Sequence, residues 1–273
     1  MELKIVCLTE VAEPRDQESL SVPREGYTSW EDLPSKLAEK SVYRVSLSPD
    51  LPDTLSMTLE QRLRLQDTLQ ALLSDADLVI LIGGDADRPI LENAAELALA
   101  ARALTLGVLV PESDRKSPLE HQSQRLPSWM SGLDAYTRSD RSEWTLHVQR
   151  MTEILSDVIT LPGLIENDFE EVRSLLRSEF LLGHGEAKDG DRALQAARMV
   201  VESLSMAEVL PRAGTFVFSV RGDEGLTLGE VNGVAETFCS VMQPEANILF
   251  QAVPDSIPNG RVSVGALVAG FGT

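Results

Sequence analysis

The chain has 273 residues, of which 43% are hydrophobic and 25% are charged, ordinary proportions for a folded globular protein. Its 43 acidic residues against 24 basic ones give a formal net charge of -19. A field this negative repels the phosphates of nucleic acids and anionic membrane surfaces, so neither is expected as a partner. No apolar stretch reaches the ~20 residues that span a bilayer, and no basic segment followed by an apolar run opens the chain. We therefore expect a cytoplasmic protein without a transmembrane segment or a signal peptide.

The first half of the chain predicts alternating strands and helices. Its clearest unit is a continuous apolar run over residues 78–82, then a helix from Pro89 to about residue 103, then a strand over residues 106–110. A strand, a helix and a strand in this order are typical of a right-handed parallel crossover. Earlier, strands are predicted over residues 3–8 and 42–47 and a helix opens at Thr58, whereas residues 10–40 and 111–140 are predicted to be mostly loops.

The second half begins with a long amphipathic helix, predicted over residues 141–158 with Trp144, Val148, Met151 and Leu155 on one face. An open sheet with helices packed on it should follow. Its helices are predicted over residues 168–181, 189–204 and 228–242, and its strands over residues 215–220, 247–253 and 262–269.

The side chains that most often carry chemistry show no catalytic or metal-binding pattern. His184 lies between two glycines, so we expect it in a surface loop. Cys7 and Cys239 lie in apolar segments, which predicts buried free thiols rather than metal ligands. The three tryptophans, Trp30, Trp129 and Trp144, are expected to be packing residues.

The turn after the apolar run at residues 78–82 is where an open parallel sheet would bind a phosphate. A phosphate loop needs several glycines and no negative charge of its own. This turn keeps Gly83 and Gly84 but then supplies Asp85 and Asp87, followed by Arg88. One pair of like charges at ~5 Å costs about 3 kcal/mol at an effective dielectric of ~20. We interpret the site as closed to phosphate, with the two aspartates capping the next helix; a metal-assisted role for them is the alternative.

Two stretches of the second half resemble the FtsZ/tubulin superfamily of filament-forming GTPases. They are LPGLIENDFEEVR at residues 161–173 and LLGHG at residues 181–185. The resemblance covers about residues 60–273. It implies an α/β fold of the tubulin/FtsZ type, with a parallel nucleotide-binding-type sheet joined by a central helix to a smaller α+β domain. The implied domains are residues 1–140, 141–160 and 161–273.

The chain departs from that family where nucleotide would bind. The family's signature loop, GGGTGTG, is replaced by residues 83–89, and the glycine-rich loop after the first strand is absent. The chain also stops at Thr273, without the linker and tail by which FtsZ recruits membrane-bound partners. The resemblance therefore implies that GTP binding and GTPase activity are lost.

The acidic residues after the central helix resemble those that, in the family, reach the GTP of the next subunit. Asp168 matches one such aspartate, Glu171 replaces another, and Glu166 stands where asparagine is usual. These residues are vestigial catalytic candidates. The alternative is structural: Asn167 and Asp168 cap a helix that carries Glu171 in its first turn.

The favoured hypothesis is a non-hydrolysing FtsZ-like protein that acts through protein–protein contacts in filament assembly or its regulation, in cell division or membrane remodelling. Its partner would be itself or an FtsZ-like filament protein, and no cofactor is expected. Two alternatives stay open. One is a divergent GTPase that binds GTP and magnesium through altered contacts, and the other is a polymer that assembles without nucleotide.

Overall fold

The computed structural model describes residues 5–9, 27–29, 42–46, 59–84, 89–111, 126–160, 169–205, 210–254 and 256–270. The chain divides into two compact units, Met1–Thr145 and Leu146–Thr273. Among the helices within the described ranges, none is long and apolar enough to cross a membrane.

Within the described residues, the first unit is built on six parallel strands. Their order is β2-β3-β1-β4-β5-β6, where β1 is Ile5–Thr9, β2 Tyr27–Ser29, β3 Val42–Ser46, β4 Leu78–Gly83, β5 Leu104–Leu109 and β6 Ala135–Arg138. Every residue of β4 and β5 is buried, as expected of strands covered on both faces. Helix α2 (Pro89–Ala100) connects these two strands, which confirms the predicted parallel crossover.

Helices α1 (Leu59–Leu73) and α2 supply the core on one face of this sheet. The helix predicted to open at Thr58 is therefore present, although Thr58 itself lies outside the described residues. A short 3-10 turn, Ser128–Met130, adds Trp129 and Met130 to the same core. Trp129 is fully buried, which confirms its predicted packing role.

The second unit contains four strands and most of the long helix. The strand order is β7-β10-β8-β9, where β7 is Ser178–Lys188, β8 Thr215–Gly222, β9 Asn247–Val253 and β10 Arg261–Ala269. Strand β10 is antiparallel to both β7 and β8, whereas β9 is parallel to β8. The helices are α3 (Trp144–Thr160), α4 (Phe169–Leu175), α5 (Arg192–Ser205) and α6 (Leu228–Cys239).

The two faces of the second sheet differ in chemistry. Helices α5 and α6 cover one face, where Phe216 and Phe218 of β8 pack against Phe238 of α6 with ring centroids 5.5 and 5.0 Å apart. The opposite face meets α3 and carries polar side chains, including Ser219 and Arg221. Because side chains alternate along a strand, one strand contributes to both an apolar core and a polar junction.

The structure corrects three sequence-based expectations. The helix predicted over residues 168–181 ends at Leu175, and residues 178–188 form β7, so His184 lies in a strand and not in the predicted surface loop. Nine residue pairs with β10 stabilise this strand. Pairing between distant segments is not visible in the local sequence pattern.

The loops predicted over residues 10–40 and 111–140 contain β2 and β6. Cys239 ends α6 in an exposed position, and the side chain of Cys7 lies outside the described part.

Glycines in β7 let α5 pack closely on the strand, and Gly185 shows this best. A Cβ at Gly185 would collide with the carbonyl oxygen of Ala196 and approach Cβ of Met199 to 2.9 Å. The obstacle is helix backbone, which cannot rotate away. Gly233 in α6 is the opposite case, because a Cβ there meets nothing within 4 Å.

We expect Gly185→Ala to lower the free energy of unfolding by about 1–3 kcal/mol, through overpacking of α5 against β7. The matched control, Gly233→Ala, should raise it by about 0.5–1 kcal/mol, because alanine restricts the unfolded chain and fits the helix. Urea denaturation followed by circular dichroism measures both. Equal stability of the two variants would contradict the close-approach argument.

Candidate functional site

The turn between β4 and α2 is the candidate ligand site of the first unit. Gly83 is the last residue of β4, Gly84 follows it, and both are buried. Asp85, Asp87 and Arg88 lie outside the described residues. Since the strands are parallel, this turn lies beyond their carboxyl ends, where open sheets bind ligands.

Core packing accounts for the first of the two glycines. A Cβ at Gly83 would lie 2.5 Å from Cδ1 of Leu91 and 3.1 Å from the indole of Trp129. The carbonyl oxygen of Gly84 accepts a hydrogen bond from the indole N–H of Trp129 at 3.2 Å. Close contact with core side chains therefore favours glycine at Gly83 without any ligand.

The amino terminus of α2 carries negative charge from several residues. Glu92 lies in its first turn and accepts a hydrogen bond from the hydroxyl of Ser128. By sequence, Asp85 and Asp87 immediately precede this helix. Carboxylates at a helix amino terminus complement its dipole, as a bound phosphate does.

Trp129 has a role here that the sequence pattern did not predict. The residue lies in a polar segment that predicts a loop, and its contacts with Gly83 and Gly84 connect residues some 45 positions apart. The available signal was the tryptophan itself, because a large apolar side chain in a polar stretch is more often buried than exposed.

The second unit contains a buried ion pair between α3 and β8. Asp157 of α3 is 3% exposed, and its two carboxylate oxygens accept hydrogen bonds from Nε and Nη2 of Arg221, both at 2.7 Å. One of these oxygens also accepts the hydroxyl of Ser219 at 2.5 Å. Glu153, one helical turn earlier, lies 3.6 Å from Arg221 and is more exposed. A bidentate pair of this kind fixes the helix on the strand geometrically.

His184 lies beside this ion pair on the same face of the sheet. Its Nε2 and the hydroxyl of Ser263 are 3.0 Å apart. Burial, with a smaller contribution from Arg150, lowers the pKa of His184 from 6.5 to about 4. A cavity of about 10 Å³, room for roughly one water molecule, lies among these groups. His184 is thus a half-buried neutral side chain and not the surface loop residue that the sequence predicted.

A third polar cluster connects the start of α5 with the start of α6. Arg192 donates to Asp223 at 2.9 Å and to Glu230 at 2.7 Å. Glu230 also closes a capping box with Thr227, each side chain bonding the other residue's backbone N–H. All these groups have protein partners, so the cluster is structural in character.

Of the three predicted catalytic candidates, one lies within the described residues. Glu171 is exposed in the first turn of α4, whereas Glu166 and Asp168 lie outside the described residues. Within the described ranges, no group of three or more His, Cys, Asp or Glu side chains is arranged to hold a metal ion.

Comparison with known proteins identifies the second unit. Residues 179–272 match the family model of the FtsZ family C-terminal domain. This stretch holds β7 to β10 with α5 and α6, the part of the chain that the sequence resemblance also covered.

Solved structures extend the likeness over the whole chain. A tryptophan-to-tyrosine mutant of FtsZ from M. jannaschii is 19% identical, with a TM-score of 0.70, and the match covers 99% of this chain and 92% of that one. An empty FtsZ dimer from the same organism is 17% identical, with a TM-score of 0.63 and coverage of 98% and 88%. Protofilaments of TubZ from Bacillus thuringiensis serovar israelensis, in the GDP form, are 11% identical, with a TM-score of 0.53 and coverage of 85% and 78%.

The fold is that of FtsZ. This confirms the predicted tubulin/FtsZ-like α/β architecture, and the domain match with the structural likeness supports the FtsZ/tubulin superfamily.

Asp157 provides a direct test of how α3 is held. We expect Asp157→Ala to lower the free energy of unfolding by about 2–3 kcal/mol, because Arg221 and Ser219 lose their buried partner. Glu153→Ala removes a longer and more exposed ion pair of the same arginine and should cost about 0.5 kcal/mol or less. Urea denaturation measures both variants. If the two losses agree within 0.5 kcal/mol, Asp157 is not the anchor.

Proposed function

We propose that this protein is a non-hydrolysing FtsZ-like protein that acts through protein–protein contacts in filament assembly or its regulation, in cell division or membrane remodelling. One observation carries the proposal. An FtsZ-type fold is combined with a β4–α2 turn in which Gly83 packs against the core and the sequence continues with two aspartates, Asp85 and Asp87.

Charge at the turn argues against nucleotide. By sequence, the turn that would have to receive the phosphates of a nucleoside triphosphate supplies two carboxylates, Asp85 and Asp87, against one cation, Arg88, and Glu92 follows in the first turn of α2. A true phosphate loop presents bare backbone N–H groups instead. Each close like-charge pair costs roughly 3 kcal/mol, which exceeds the stabilisation that one helix dipole gives to a bound anion. The protein should therefore lack GTPase activity and require neither GTP nor magnesium.

The nature of the partner follows from the proteins that share the fold. TubZ has been solved as protofilaments and FtsZ as a dimer. We infer self-association or association with an FtsZ-like filament protein, in the cytoplasm, as the working mode of this chain.

The acidic segment before and within α4 would be the contact face. Glu171 is exposed there, and Glu166 and Asp168 lie just upstream in sequence. A chain that keeps this face but lacks a phosphate site would dock on the nucleotide-bearing end of a filament. It could not then receive the next subunit in the same manner, so it would cap or modulate the filament.

A nucleotide titration tests the closed phosphate site. We expect calorimetry with GTP and magnesium to show no binding up to millimolar nucleotide, and the purified protein to carry no nucleotide. The double variant Asp85→Asn, Asp87→Asn removes two charges at constant size and should gain affinity, by up to about a hundredfold per close pair. Micromolar binding by the unmodified protein would instead favour a divergent GTPase.

Mixing with a filament protein tests the docking role. With FtsZ of M. jannaschii as the probe, we expect substoichiometric amounts of this protein to change polymer mass and GTP turnover. Glu171→Lys should abolish the effect by reversing charge on the contact face. Glu202→Lys makes the same change at an exposed position of α5 and should retain the effect. Unchanged polymer mass and GTP turnover across a wide range of ratios would contradict docking.

A further inference from the structure

Polar groups take part in the contact of α3 with the second sheet, next to apolar ones such as Ile154. We call this contact the α3 junction, defined by the residues around the 10 Å³ cavity: Arg150, Glu153, Ile154 and Asp157 of α3, and His184, Ser219, Arg221, Ser263 and Gly265 of the sheet. The backbone of β10 comes close there, because a Cβ at Gly265 would lie 2.8 Å from Ile154.

The formal charges of the α3 junction balance only while His184 is neutral. Arg150 and Arg221 contribute two positive charges, and Glu153 and Asp157 contribute two negative ones. The carboxylate of Asp157 already accepts hydrogen bonds from Arg221 and Ser219. Outside the cavity, Glu186 on the same strand as His184 is paired with Arg261 of β10 at 2.7 Å.

A proton on His184 would therefore be poorly compensated. It would add a third positive charge to an enclosed site in which Arg150 already opposes it. Its hydrogen-bond partner, Ser263, is neutral. Of the acidic groups nearby, Glu186 favours the charged ring, but burial and Arg150 outweigh it.

We propose that the α3 junction is a pH-sensitive clamp, in which a proton taken up at His184 weakens the hold of the second sheet on α3. The sign follows from linkage. The pKa of His184 is about 4 in the folded state against 6.5 when exposed, so the neutral ring stabilises the junction above pH 6.5. That stabilisation is lost progressively as the pH falls from 6.5 towards 4. This inference does not depend on nucleotide binding or on filament partners.

Amide hydrogen exchange of residues 146–160, corrected for the intrinsic rate, measures the opening of α3 directly. We expect the opening equilibrium of the unmodified protein to rise roughly twentyfold between pH 7 and pH 5 from His184 alone. His184→Gln keeps a polar side chain that does not titrate and should flatten this rise. His147→Gln is the comparison variant: His147 lies on α3 and its pKa is also lowered to about 4 by burial and Arg150, so this variant should remove only the share of the rise that His147 contributes and retain the share of His184. An undiminished rise in His184→Gln would overturn the clamp.

A second variant tests the same idea without changing the histidine. Arg150→Gln removes the positive charge that opposes protonation, so the pKa of His184 measured by NMR should rise towards 6.5 and the exchange of α3 should depend less on pH. A pKa of His184 already near 6.5 in the unmodified protein would overturn the proposal. So would an unchanged pH dependence of α3 exchange in an Arg150→Gln variant whose His184 pKa has risen.

Discussion

Close approach of helices to strands at glycine positions is the constraint on which both units depend. In the first unit, Gly83 lies against Leu91 and Trp129, and in the second, Gly185 lies against the backbone of α5. Gly265 has the same relation to Ile154 of α3. At each of these positions a Cβ would lie less than 3 Å from an atom of the facing element. Because interiors are densely packed, that neighbour would have to shift to admit it, and at Gly185 the neighbour is helix backbone.

A glycine after a buried strand can make room either for a ligand or for a core side chain. In a phosphate loop, glycine clears space for a ligand, whereas Gly83 clears space for a tryptophan. The carbonyl of Gly84 is hydrogen-bonded to that indole, so the segment is integrated into the core of the first unit. A glycine pair after a buried strand is therefore ambiguous until its neighbours are known.

Sequence pattern predicted the elements whose apolar residues are continuous. The run at residues 78–82 and the proline at residue 89 were enough for β4 and the start of α2. Strand β7 was not predicted, because the closely spaced Gly183 and Gly185 are typical of a turn. These residues form a strand because they pair with β10. The bond of Asp157 to Arg221 joins positions 64 apart, and that of His184 to Ser263 joins positions 79 apart. No local window contains both members of such a pair, so the α3 junction could not be predicted from the sequence.

Strand order has a consequence for how the protein is made. Strand β10 lies between β7 and β8, yet it follows both in the chain. During synthesis β7 and β8 lack their shared neighbour until residue 269 has left the ribosome, and contacts of such long separation form slowly. Strands β4 and β5, in contrast, pair directly and are complete 160 residues earlier, at Leu109. Translation therefore lets β4 and β5 of the first unit pair while β7 and β8 of the second unit still lack β10. During that time the apolar side chains of β7 and β8 are exposed, and a chaperone could bind them.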